Sequence, residues 1–281
     1  LGSSHLFLRD SNYSLDFPTN AQRAVELLRL ETGDRVDGVV ALDTNILSGL
    51  LSVIGPVKLA DYQEKATAEN VYLLTQKYVE KDFFPGSTQK KDFLQALMNA
   101  CFARIGEMDV SKKLALAQKI GELTEKKHIL FSFVEPSEQH LFTTNNLSSS
   151  LWEARQQQAG HILDTFGVVD MNVGMNKVNY YVTRTFEQHI SFTSKGSVDT
   201  TMLLTYTNSS TQKSPFGGDY KNYLRIMLPK GAILQEVSIN GQKLKTIAAI
   251  TKPSVFTAKK FVAPKELEIE TTEEQGRMLV G

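Results

Sequence analysis

Only one of the 281 residues is cysteine, no run approaches the roughly 18 apolar residues of a membrane helix, and neither charge sign is in excess. The lone thiol excludes a disulfide framework and a cysteine metal centre. Cys101 stands among Phe93, Leu94, Leu97, Met98, Phe102 and Ile105 at helical spacing, which marks it as a core thiol. Basic and acidic residues number 31 each, so bulk electrostatics do not call for a polyanionic partner such as nucleic acid. Lys90 with Lys91, and Lys112 with Lys113, read as solvated helix faces. No secretory signal opens the chain, and its first residue is Leu1, so it is read as a fragment with its upstream part absent. The apolar stretch Arg277 to Val280 likewise reads as a strand at a C-terminally incomplete end.

What is present divides near residue 165. Before that point short apolar runs alternate with helix-period segments. Ala21, Ala24, Val25 and Leu28 recur at helical spacing behind Pro18, and Gly33 supplies the stop. Val36 to Leu42 reads as a buried strand, Ile46 to Ile54 as a helix closed by Gly55-Pro56, and His128 to Phe133 as a second central strand. Between them lie helical patterns over Val71 to Tyr78, Phe93 to Ile105 and Leu114 to Leu123. The order predicts an α/β sandwich over residues 1–165.

From Val178 onward the pattern alternates with period two. Tyr180 to Phe192, Asp199 to Thr207, Tyr220 to Leu228 and Leu234 to Leu244 read as strands, the last folded into a hairpin at Asn240-Gly241. Residues 166–281 are therefore expected to form an all-β, sandwich-like domain. No fixed-period repeat is visible, and Asn145 to Ser150 is a polar loop.

The chain carries no P-loop, no Gly-x-Ser-x-Gly elbow, no His-Glu-x-x-His and no dinucleotide glycine fingerprint. Its histidines, His5, His128, His140, His161 and His189, lack close metal-ligand spacing. The Asn-x-Ser/Thr matches at Asn12, Asn146 and Asn208 are of a kind that arises by chance.

Two polar constellations stand out. The first is Arg9, Asp10, Asn12 and Asp16: an apolar strand is expected to end in Arg9 and Asp10, with Asn12 and Asp16 in the loop before a helix, where open α/β sheets place ligand groups. Arginine can grip phosphate oxygens, and aspartates with an amide can hold hydrated Mg²⁺. The plainer alternative is that Arg9 and Asp10 pair with each other or cap the following helix. The second constellation is Val168 to Lys177, whose Asn172, Gly174 and Asn176 suit a structural corner better than a ligand site.

Several of these segments carry a family resemblance. Leu8-Arg9-Asp10-Ser11-Asn12, Asp16-Phe17-Pro18-Thr19-Asn20-Ala21, Val36-Asp37-Gly38-Val39-Val40-Ala41-Leu42-Asp43, Gly55-Pro56-Val57, Ala68-Glu69-Asn70-Val71, Asp170-Met171-Asn172, Asn176-Lys177 and Tyr223-Leu224-Arg225 resemble an uncharacterised bacterial family, domain of unknown function 4012. The resemblance implies an extracytoplasmic envelope protein, anchored in the full-length protein by a membrane segment missing from this chain.

The same order of elements more distantly resembles the LytR-CpsA-Psr family of Mg²⁺-dependent phosphotransferases, which act on polyprenyl-pyrophosphate-linked glycopolymers. That resemblance matches Arg9 and Asp10 to the family's catalytic Arg-Asp pair and Lys90 and Lys91 to its basic stretch, with Arg9 and Lys91 on pyrophosphate oxygens; the loop's own chemistry adds Asp10 and Asp16 as Mg²⁺ ligands and Asn12 and Asp16 to ligand binding. This chain departs from the family pattern at Thr75-Gln76-Lys77-Tyr78 and at Lys90-Lys91, where the family has arginines. Lysine supplies charge without the planar fork that clamps a pyrophosphate.

Two functions are therefore expected. The preferred one is a non-catalytic binding or structural module of the envelope that meets a cell-wall polymer, lipid or partner protein, with no cofactor. The alternative is the Mg²⁺-dependent phosphotransferase acting on a lipid-linked glycan.

Overall fold

A computed structural model of the protein describes residues 6–80, 89–151, 165–174, 176–194, 196–211, 213–249, 269–274 and 276–281. The chain divides into two compact units, Leu1–Trp152 and Glu153–Gly281.

The first unit opens with a 3-10 helix, Leu8–Asp10, where the apolar run Leu6-Phe7-Leu8 had suggested a strand. Asp10 decides the difference: its Oδ2 accepts the Phe7 N–H at 3.0 Å and curls the backbone into a turn. Helix α1, Phe17–Thr32, follows with Asp16 as its N-cap and Pro18 in its first turn. Gly33 ends it at φ +82°, a left-handed conformation that glycine adopts without penalty, and its N–H reaches Arg29 O.

The remaining elements of this unit are β1 (Gly38–Leu42), α2 (Asn45–Ile54), β2 (Val57–Leu59), β3 (Glu64–Ala66), α3 (Val71–Glu80), α4 (Gln89–Gly106), α5 (Val110–Glu125), β4 (Ile129–Phe133) and α6 (Pro136–Thr144). The main core forms between β2, β3 and the helices: Leu51, Ile54, Val57, Leu59, Ala66, Val71, Leu74, Phe93, Leu97, Cys101, Met108 and Leu116 make one buried cluster. Tyr62 and Tyr78 close over Phe93, with Tyr78 stacked on it at 4.7 Å and Tyr62 edge-on at 5.1 Å. Cys101 is part of this core, and burial pushes its thiol pKa up, so it behaves as a small apolar side chain.

β1 and β4 pair antiparallel, from Gly38↔Phe133 to Leu42↔Ile129. A Cβ at Gly38 would stand 2.6 Å from Ser132 O, so this close crossing requires glycine. Among the described residues the sheet has these two strands alone. β1 is consequently not the buried strand expected from its apolar run: Val40 and Leu42 are 53% and 58% exposed.

The second unit is β-rich, as its alternation indicates. Its elements are β5 (Gly167–Asn172), a 3-10 turn at Val178–Tyr181, β6 (Val182–Phe192), β7 (Val198–Asn208), β8 (Asn222–Met227), β9 (Val237–Ile239), β10 (Gln242–Leu244), β11 (Thr246–Ala248), β12 (Ile269–Glu274) and β13 (Arg277–Val280). A mixed five-stranded sheet runs β11-β12-β13-β8-β5, with β11 and β12 parallel. The Arg277–Val280 stretch lies inside that sheet between β12 and β8, and Leu279 and Val280 are buried. β6 and β7 pair over their full length from Val182↔Asn208 to Phe192↔Val198. β9 and β10 join through Asn240 and Gly241, both at positive φ, as a two-residue hairpin turn requires.

Candidate functional site

The loop entering α1 is built around two side chains. Asp16 is 6% exposed and commits both carboxylate oxygens: Oδ2 accepts from Thr19 N–H at 2.9 Å and Thr19 Oγ1 at 2.6 Å, while Oδ1 accepts from Leu151 N–H at 2.8 Å. It therefore caps the helix and ties residue 151 to it. Asn20 uses its whole amide. Its Oδ1 accepts from Tyr13 and Ser14 N–H at 3.0 and 2.7 Å, and its Nδ2 donates to Asn12 Oδ1 at 2.9 Å and Ser14 O at 2.8 Å. The Asp-Phe-Pro-Thr-Asn segment is thus a clamp that folds the preceding loop onto the first turn of α1. Asn20 was not among the residues singled out in the sequence, although it stands inside that segment.

Arg9 and Asp10 lie outside the clamp. The Arg9 side chain is 74% exposed, its guanidinium stands 4.6 Å from the centre of the Phe7 ring, and its Nε is 4.0 Å from Asp10 Oδ1. That is the self-paired arrangement of the plainer alternative, at a distance and exposure where an ion pair contributes ~0–1 kcal/mol. Lys90 and Lys91 belong to the first turn of α4, and their side chains lie outside the described residues. The structure thus ties Asn12 to the Asn20 side chain, leaves Asp16 linked to Asn20 only by the main-chain bond from Asn20 N–H to Asp16 O at 3.2 Å, and sets Arg9 beside Asp10.

A second polar group sits where β1 ends and β4 begins. His128 Nδ1 is 2.7 Å from Asp43 Oδ2, and Asn45 Nδ2 lies 3.2 Å from the same oxygen. Asp43 also receives the Asn45 N–H at 2.8 Å, so it organises the entrance to α2. Sequence spacing could not pair Asp43 with His128, because only the β1–β4 register brings these positions opposite. Among the described residues no group of three or more His, Cys, Asp or Glu side chains is arranged to hold a metal ion.

In the second unit Asp170, on β5, gathers its neighbours. Oδ1 accepts from Tyr206 OH at 2.6 Å and Asn222 Nδ2 at 2.9 Å, and Oδ2 is paired with Arg184 Nη1. Burial first, then the hydrogen bond to Asp170, raises the Tyr206 phenol pKa far above its ordinary range. A proton held that firmly suits a structural donor rather than a general acid. The corner that follows is also structural: Asn172 Oδ1 takes the Gly174 N–H at 2.9 Å, Asn172 Nδ2 reaches Asn176 and Asn179, and Asn176 Nδ2 donates to Asp219 O at 3.0 Å.

The stretch that holds the clamp, β1, α2, β2, β3 and most of α3 coincides with a family match: residues 2–79 fit the model described as protein of unknown function (DUF4012). Over these residues the chain is similar to DUF4012. The segments from Asp170 onward that shared the resemblance lie beyond the DUF4012 match. No curated protein and no solved structure matches the chain. No helix among the described residues is long and apolar enough to cross a membrane.

Proposed function

We propose that the chain is a non-catalytic binding or structural module of an extracytoplasmic bacterial envelope protein. In this reading a LytR-CpsA-Psr-like α/β sandwich, with membrane contact through a segment outside this chain, precedes a β-sandwich-like unit. The supporting observation is the use to which the loop's polar groups are put. Asp16 and Asn20 direct their side-chain hydrogen bonds to the helix entrance and, from Asp16, to Leu151, which supports a structural use of Asp16 over a ligand-binding one. Little in this arrangement favours a Mg²⁺ ion shared by Asp10 and Asp16: Asp16 is 6% exposed and both of its oxygens already accept hydrogen bonds, which leaves Asp10 Oδ1, beside Arg9, as the carboxylate oxygen of the pair that accepts none among the described residues.

Phosphoryl transfer also needs several cations converging on the transferred group. Arg9 instead stands exposed against Phe7 and Asp10, and Thr75-Gln76-Lys77-Tyr78 supplies no arginine. Lys77 is engaged with Glu64 at 2.6 Å, a contact that lowers the Glu64 pKa and raises that of Lys77.

Calorimetric titration of the protein with a short-chain prenyl pyrophosphate, with and without Mg²⁺, tests this reading. No Mg²⁺-dependent binding is expected, and Arg9→Ala should leave the titration unchanged. Mg²⁺-dependent binding that disappears in Arg9→Ala would overturn the non-catalytic reading in favour of the phosphotransferase.

A further inference from the structure

Among the described residues, the outer edge of β1 is unspent. In an antiparallel pair alternate residues turn their main-chain groups toward the partner strand. Asp43 N–H bonds His128 O at 3.2 Å and Val134 N–H bonds Asp37 O at 2.8 Å, so the odd-numbered residues of this segment face β4. Gly38, Val40 and Leu42 turn theirs the other way, where no described residue bonds them. These three positions share one face of the strand, and the apolar side chains of Val40 and Leu42 are more than half exposed. No charge, proline or bulge interrupts the strand, and such an edge is a template for another.

The flanking residues say which strand fits. A second copy of residues 35–43, laid antiparallel about Val39, places Arg35 opposite Asp43 at both ends. The same register places the exposed Val36 opposite Leu42 and Gly38 opposite Val40. Gly38 has no side chain, which leaves the face open for the opposing valine. The outward main-chain groups of Gly38 and Val40 then meet in the pairs that exchange both bonds. Moving the two-fold to Val40 would set Asp37 against Asp43, like charges directly opposite, which destabilise a sheet.

We propose that β1 pairs with β1 of a second copy of this chain in the register centred on Val39, joining two β1–β4 pairs into one continuous four-stranded sheet. Sedimentation equilibrium of the whole chain should show a concentration-dependent dimer. Val40→Lys should lose it, because the charge lands in the apolar contact, and circular dichroism would show that the protomer remains folded. Arg35→Glu, at an exposed position outside β1, should weaken the dimer even where Val40→Lys fails to fold. A chain that stays monomeric at every concentration overturns the proposal. So does a dimer indifferent to both Val40→Lys and Arg35→Glu, which would place the contact on another exposed apolar surface such as Ile190 and Phe192 of β6.

Discussion

Single side chains explain most of what the loop before α1 does. Asn20 illustrates it, since all of its amide contacts need an acceptor on one side and two donors on the other. Asn20→Asp keeps the shape and removes both donors, turning a carboxylate toward Asn12 Oδ1 and Ser14 O. A loss of about 2 kcal/mol or more is expected, read as a lower urea midpoint at unchanged slope. Tyr206 makes the corresponding case for the second unit. Its folded pKa is raised, so its contribution to stability is fully present below the ordinary tyrosine value of about 10 and is lost as pH rises through the folded value. Chemical denaturation at a series of pH values above 10 should therefore show a fall in stability that is shallower in Tyr206→Phe. An equal fall in both proteins would remove Tyr206 as the cause.

At the scale of elements, the contrast between what could and could not be read from sequence has physical reasons. α1 was legible at both ends because Asp16, Pro18 and Gly33 act through the local backbone. The β9–β10 hairpin was legible because Asn240-Gly241 tolerates positive φ. α6 was missed: its residues Pro136–Thr144 are mostly polar, with none fully buried, so no apolar stripe announces it. β2 and β3, three residues each, are too short for alternation to show. The apolar run of β1 suggested burial on both faces, but burial depends on neighbours in space, and its described sheet has one other strand. The importance of Gly38 likewise appears only once β4 is in place. Gly38→Ala should cost about 1–3 kcal/mol through the contact with Ser132 O, measurable as a lowered thermal midpoint, whereas Gly106→Ala, with open space around its Cβ, should not. Equal effects at the two glycines would contradict that packing.

For the molecule as a whole, the change from helical to two-residue periodicity was visible in the sequence, and the chain does divide into an α/β unit and a β-rich one. The candidate site was legible in part. The sequence picked out Asn12 and Asp16, but not Asn20, whose amide holds Asn12 and the loop after it, nor Asp43 with His128, which meet only through strand pairing. Composition cannot separate a carboxylate that binds metal from one that caps a helix; only its partners can. The central claim is that the Asn12–Asn20 loop is a structural clamp rather than a metal-phosphate site. Titration with Mn²⁺, a paramagnetic stand-in for Mg²⁺ at oxygen ligands, followed by the loss of free-ion resonance signal, tests it most directly. The clamp predicts a signal undiminished by the protein at stoichiometric ratios and unaffected by Asp16→Asn. Tight uptake of one ion per chain, abolished by Asp16→Asn in a folded protein, would contradict it.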